Sequence, residues 1–145
     1  MPFLPDIVQC TYIEVAPDIV YRTLTTAEGW DAWFTQGTLL DGTSIQLRWK
    51  DFGPNYMTAE DGGPILHAVS PARFAFEWSP GRRPTTVRIS IEPRGPGTVV
   101  TLRETGHTSE DAETHVSCAT GWGEALTLLK FYLEFGHVYR KVPPP

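Results

Sequence analysis

The stretch Gly121-Trp122-Gly123-Glu124-Ala125-Leu126-Thr127-Leu128-Leu129-Lys130-Phe131-Tyr132-Leu133-Glu134-Phe135-Gly136 is an apolar, helix-forming run that arrives only after a long series of strand-like segments. Apolar residues recur at Val116, Ala119, Trp122, Leu126, Leu129 and Leu133, steps of three or four that trace one face of a helix. A single long helix with that much apolar surface, following a whole sheet, is predicted to pack against the sheet. Glu110 and Asp111 put negative charge at its opening, where the aligned peptide dipoles favour it, and Gly136 suits a left-handed C-cap.

Upstream of the helix the period changes to two. Ile45, Leu47 and Trp49 alternate with Gln46, Arg48 and Lys50; Phe74, Phe76 and Trp78 with Ala75, Glu77 and Ser79; Val87, Ile89 and Ile91 with Arg88, Ser90 and Glu92. In the segment 98–105, Val100, Leu102 and Glu104 share one face, so the last inward position is an acid. Gly53-Pro54 and Glu60-Asp61-Gly62-Gly63-Pro64 read as turns flanking a short segment at Tyr56-Met57-Thr58, with a strand resuming over 65–69. At the front, residues 7–15 read as a strand, Pro17 opens a short helix to about residue 25, and Thr26 caps a second that ends near Phe34. The pattern predicts an α+β fold: a curved antiparallel sheet of about six or seven strands wrapped around a long C-terminal helix, with two short helices after the first strand. The 145 residues read as one domain, 1–145, with residues 137–145 as an extended tail that ends Val142-Pro143-Pro144-Pro145.

Composition excludes several classes. A 41% hydrophobic content with five Trp, seven Phe and five Tyr supplies the bulk that a disordered chain lacks. A net charge of −5, which the short basic pair Arg82-Arg83 does not reverse, disfavours nucleic acid and anionic lipid as partners. No stretch approaches the ~20 apolar residues of a membrane span, and Met1-Pro2-Phe3-Leu4-Pro5-Asp6 lacks a secretory pattern, so a cytoplasmic protein is expected. Cys10 and Cys118 are the only cysteines, and both read as buried thiols rather than a disulfide framework. His67, His107, His115 and His137 show none of the mutual spacing of a metal site. With no phosphate or dinucleotide glycine motif either, no cofactor and no metal are expected. His67 lies among Ile65, Leu66, Ala68 and Val69, which leaves its side of the strand open.

The candidate site follows from the inward aromatics. Trp33, Phe34, Trp49, Phe74, Phe76, Trp78 and Trp122, with Leu126 of the helix, either line a cavity between sheet and helix or fill that space. Glu104 is the sharpest single residue, because a carboxyl group beside Leu102 and Val100 on the helix-facing side could act as a general acid or base. Against that stand a solvated strand end, or pairing of Glu104 with Arg73 or Arg103. Glu77 reads as a surface residue.

The order of elements resembles the START-like helix-grip superfamily, also called SRPBCC, over nearly the whole chain. Within it, Ile13-Glu14-Val15-Ala16-Pro17, Leu24-Thr25-Thr26-Ala27-Glu28-Gly29-Trp30 with Trp33-Phe34, Pro71 with Phe74-Ala75-Phe76-Glu77-Trp78, and Gly121-Trp122 with Leu126, Leu129 and Tyr132-Leu133 resemble, in order, the homologues of the activator of the heat-shock-90 chaperone ATPase. The resemblance implies the helix-grip fold and a small hydrophobic ligand held between sheet and helix. It also implies two alternatives: a cyclase- or dehydratase-type enzyme using Glu104, and a partner protein acting on a chaperone ATPase.

Overall fold

The computed structural model describes residues 2–52 and 56–138. The chain runs β1 (Ile7–Ile13), α1 (Pro17–Leu24), α2 (Ala27–Trp33), β2 (Leu39–Leu40), β3 (Ser44–Phe52), β4 (Met57–Val69), β5 (Arg73–Trp78), β6 (Thr85–Arg94), β7 (Gly97–Thr105) and α3 (Ala112–Phe135). The strands form one antiparallel sheet in the order β1-β7-β6-β5-β4-β3-β2. Apart from β1, every strand lies beside its neighbour in sequence, as short hairpin connections dictate. β1 instead pairs with β7, from Ile7 opposite Glu104 to Ile13 opposite Thr98.

Local chemistry explains the helix boundaries. Pro17 begins α1, where a missing N–H costs nothing, and the Thr26 hydroxyl accepts the Gly29 N–H at 3.0 Å to cap α2. Gly136 takes the left-handed conformation, φ 69°, and its N–H reaches Tyr132 O at 2.9 Å, ending α3. The second half of α3 is fastened to β1: Lys130 Nζ donates to Tyr12 O and lies 3.1 Å from Glu134, whose carboxylate accepts the Glu14 N–H at 2.9 Å. One face of the sheet carries the core, with Leu47, Phe76, Val87, Val100 and Leu102 all buried under the helices. Among the described residues no helix is long and apolar enough to cross a membrane.

Three sequence expectations need correction. The 60–64 run is not a turn but the middle of β4, paired with β3 from Ser44–Pro64 to Phe52–Met57. Its two glycines permit close backbone approach: a Cβ at Gly62 would stand 2.0 Å from Ile45 O, and one at Gly63 2.3 Å from Glu77 O. Cys10 is exposed and Cys118 only partly buried, because Gln9, not Cys10, turns to the helix side of β1, where its amide donates to Ala119 O at 2.9 Å. Val116 is 64% exposed although Trp122, Leu126 and Leu129 are buried. Each three-residue step falls about 60° short of a full helical turn, so Val116-Ala119-Trp122 walks off the buried face. His67 is exposed. Of the proline-rich tail, His137 and Val138 are described and the remainder lies outside the described residues, as does the Gly53-Pro54 turn.

Candidate functional site

Glu104, the last inward residue of β7, is fully buried and hydrogen-bonded to four side chains from separate parts of the chain. Trp122 Nε1 of α3 donates to one carboxylate oxygen at 2.8 Å. The other oxygen accepts from Trp78 Nε1 of β5 at 2.9 Å and Thr85 Oγ1 of β6 at 2.6 Å, and lies 2.9 Å from Nε2 of the buried His107 just past β7. A carboxylate this far from water is tolerable only with such a full set of partners. The Arg pairing considered from sequence is not what forms: Arg103 reaches Asp6 at 2.9 Å on the outer face, and Arg73 is exposed at the start of β5. His107 meets His115 edge-to-face at 5.4 Å, and His115 Nε2 in turn lies 2.8 Å from Pro5 O. The carboxylate thus ties the first half of α3 to the centre of the sheet and sets the orientation of two indoles.

Those indoles are the inner wall of a groove of about 600 Å³ between α3 and strands β3 to β5. Trp122 and Trp78 lie 5.3 Å apart, Trp78 and Trp49 6.4 Å, and Trp49 and Phe34 5.5 Å, so a continuous run of rings crosses the site. From α3 the groove receives small or polar side chains, Thr114, Ser117 and Cys118, and at Gly121 no side chain at all. This is why space remains where the rest of the helix packs. Glu60, Asp61 and Glu113 complete the lining on the polar side.

Of the residues singled out from sequence, Phe34, Trp49, Trp78 and Trp122 line the groove. Trp33, Phe74, Phe76 and Leu126 lie in the packed core, and Glu104 sits behind the wall. Trp33 stacks between Trp30 at 5.2 Å and Phe34 at 5.0 Å, and its buried Nε1 has no hydrogen-bond partner among the described residues. Sequence reasoning missed Phe52, Asp61, Cys118 and Gly121 as groove residues. Phe52 is out of phase with Trp49 in a regular strand; an irregularity in the β3–β4 pairing, with Asp51 at φ 52°, turns it inward. Asp61 was hidden by the turn assignment, whereas Cys118, four residues before Trp122 on α3, was legible from helical spacing; Gly121, about 100° around the helix from Trp122, was not.

Electrostatics in the groove run against negative charge. Burial, and more weakly the charge of Glu104, push the Asp61 carboxyl above its ordinary range, although it accepts the N–H groups of Gly62 at 2.8 Å and Ser79 at 3.0 Å. Burial first, then the charges of Glu104 and Asp61, push the Cys118 thiol up to about 12. Such a thiol is a poor nucleophile at neutral pH. Glu104, His107 and Cys118 bring potential metal-ligand atoms within 4.8 Å of one another, a mixed donor set that suits a zinc-like ion. Both oxygens of Glu104 are nevertheless already engaged by indole and hydroxyl donors.

The family model for the activator of Hsp90 ATPase homolog 1-like protein, AHSA1, matches residues 14–134, which takes in every element from the end of β1 to the last turn of α3. The chain belongs to this family. No curated protein matches it. Among solved structures, this AHSA1-like chain is similar to the Aha1 dimer from Colwellia psychrerythraea, with a TM-score of 0.73 and 22% identity over 92% of this chain and 98% of that one. It is also similar to protein SSP2350 from Staphylococcus saprophyticus, with a TM-score of 0.76 and 23% identity over 95% and 98% of the two chains. CalU16 from Micromonospora echinospora gives a TM-score of 0.71 and 20% identity over 90% of this chain and 77% of that one. At these identities the likeness speaks for the fold.

Proposed function

We propose that this AHSA1-like chain, acting as a single domain, binds a small hydrophobic molecule in the groove between the sheet and α3. The observation that carries the reading is a space of about 600 Å³ walled by five aromatic side chains, Phe34, Trp49, Phe52, Trp78 and Trp122, while the rings of Trp30, Trp33, Phe74 and Phe76 nearby are packed to 1% exposure or less. Small-molecule sites typically occupy about 300–1,000 Å³ and combine apolar walls with a few placed polar groups. Glu104 supports the reading as a positioning residue: hydrogen bonds of 2.9 and 2.8 Å hold Trp78 and Trp122 as a preformed wall, so that little ordering cost falls on binding. That placement argues against Glu104 as an acid or base acting on a bound molecule, since the two indoles, not the carboxylate, face the groove.

A neutral solvatochromic naphthalene dye tests the reading. Saturable binding to the folded protein is expected, weakened by Trp78→Ala. Gly121→Phe should abolish it: the residue lines the groove, and a Cβ there meets nothing within 4 Å, so the ring can enter the groove without a clash at the backbone. Dye uptake that survives Gly121→Phe in a folded variant would place binding elsewhere and defeat the proposal.

A further inference from the structure

We propose that the groove selects a cationic hydrophobe, an aromatic or alkyl amine or a quaternary ammonium compound, over neutral and anionic molecules of the same shape, through Asp61 and the faces of Trp49, Trp78 and Trp122. The inference rests on the binding reading above and adds to it the charge of the ligand. None of the described residues lining the groove is Lys, Arg or His, while three are acids. The acids are not equivalent. Glu60 already pairs with Arg48 at 3.1 Å on the exposed side of the sheet. Glu113 is exposed in the first turn of α3, where the helix dipole favours its charge. Arg82, two residues beyond the groove-lining Pro80, is directed to Asp111, with its backbone N–H 3.0 Å from the carboxylate and its guanidinium at 4.0 Å.

Asp61 is different. One of its oxygens accepts the N–H groups of Gly62 and Ser79, and among the described residues no Lys or Arg pairs with it. A partly desolvated carboxylate beside a second buried acid, Glu104, raises the free energy of its own charged form, and a cation entering the groove relieves that cost. The indoles of Trp49, Trp78 and Trp122 that line the groove act in the same direction wherever a cation lies over a ring face, since the face of the π-system carries negative potential. An anion would meet carboxylates and ring faces together. A neutral molecule would gain only burial.

The test compares trimethyl(2-naphthylmethyl)ammonium with 2-neopentylnaphthalene, in which carbon replaces nitrogen, and with a naphthylmethyl sulfonate, each displacing the neutral dye. The ammonium compound is expected to bind about tenfold tighter than its carbon isostere, and the sulfonate more weakly than either. Asp61→Asn keeps an acceptor for the two backbone N–H groups and should bring the ammonium and its isostere to similar affinity. Glu113→Gln should take away a smaller part of the preference. Equal binding of ammonium and isostere by the unaltered protein, or a preference untouched by both substitutions, would overturn the charge assignment while leaving the groove as a binding site. If neither naphthyl compound nor the dye binds, the proposal falls together with the reading it rests on.

Discussion

Aromatic residues of the same kinds sit in two regions of this molecule with opposite outcomes. Beneath α2, Trp30, Trp33 and Phe76 are at most 1% exposed, with Trp30 meeting Phe76 edge-on at 6.4 Å and donating its indole N–H to Leu24 O at 2.8 Å. Across β3 to β5, Trp49 and Trp78 keep 9% exposure, and Phe34 and Phe52 are only partly buried around an open groove. The difference lies in what each set of rings faces. The first is covered by a short helix seated by its Thr26 cap, the second by the opening turns of α3, where Thr114, Ser117 and Gly121 are too small to reach the sheet. A ring is a filler or a wall according to the volume of its opposite number.

Glu104 lies at the boundary of the two regions, and its loss should have the largest effect. Glu104→Leu removes the shared acceptor of two indoles, a hydroxyl and an imidazole, and is expected to cost about 4 to 6 kcal/mol, with each buried group left unsatisfied at about 1–3 kcal/mol. Chemical denaturation measures this. A small shift in midpoint at unchanged slope would mean that the carboxylate is not what joins α3 to the sheet. Next comes a paired substitution on the rings. Phe76→Ala in the filled region should destabilise by about 3 to 5 kcal/mol, whereas Phe34→Ala, already half open to the groove, should cost about 1 to 2 kcal/mol. Equal costs would erase the distinction between the regions.

A third measurement uses the groove's own titration. With the Cys118 thiol raised from 9.0 to about 12, the unfolded chain loses this proton first. Stability from the group is therefore whole below about pH 9, falls as pH rises from about 9 to about 12, and is absent above that window. Denaturation midpoints across pH 8 to 11 should decline less steeply in Cys118→Ala than in the unaltered protein; identical slopes would mean that the thiol is well solvated. The smallest effect is expected at Gly121→Ala, where a methyl group meets no neighbour within 4 Å and helix propensity improves by about 1 kcal/mol. A loss of stability there would show that α3 lies closer to the sheet than the groove requires.

Much of the fold was legible along the chain. Ile45-Leu47-Trp49, Val87-Ile89-Ile91 and Val100-Leu102-Glu104 alternate because a pleated backbone turns successive side chains to opposite faces, and these are the residues buried in the sheet. The reading failed where a local signal had a distant cause. Glu60-Asp61-Gly62-Gly63-Pro64 carries turn residues, yet runs straight because β3 and β5 crowd its backbone on both sides. Val116 continued an apolar series that three-residue steps carried off the buried face.

By itself, then, the sequence determined the order and type of the elements, the caps at Thr26 and Gly136, and the inward side of Glu104, since each depends on backbone geometry and hydrogen bonds within a few residues. Only the tertiary structure decided that Trp49, Trp78 and Trp122 wall a groove while Trp33, Phe74 and Phe76 fill the core, and that the partners of Glu104 are Trp78, Thr85, His107 and Trp122. A void is the difference between the space enclosed by elements far apart in the chain and the summed volume of the side chains they direct into it, and no local run of residues carries that sum.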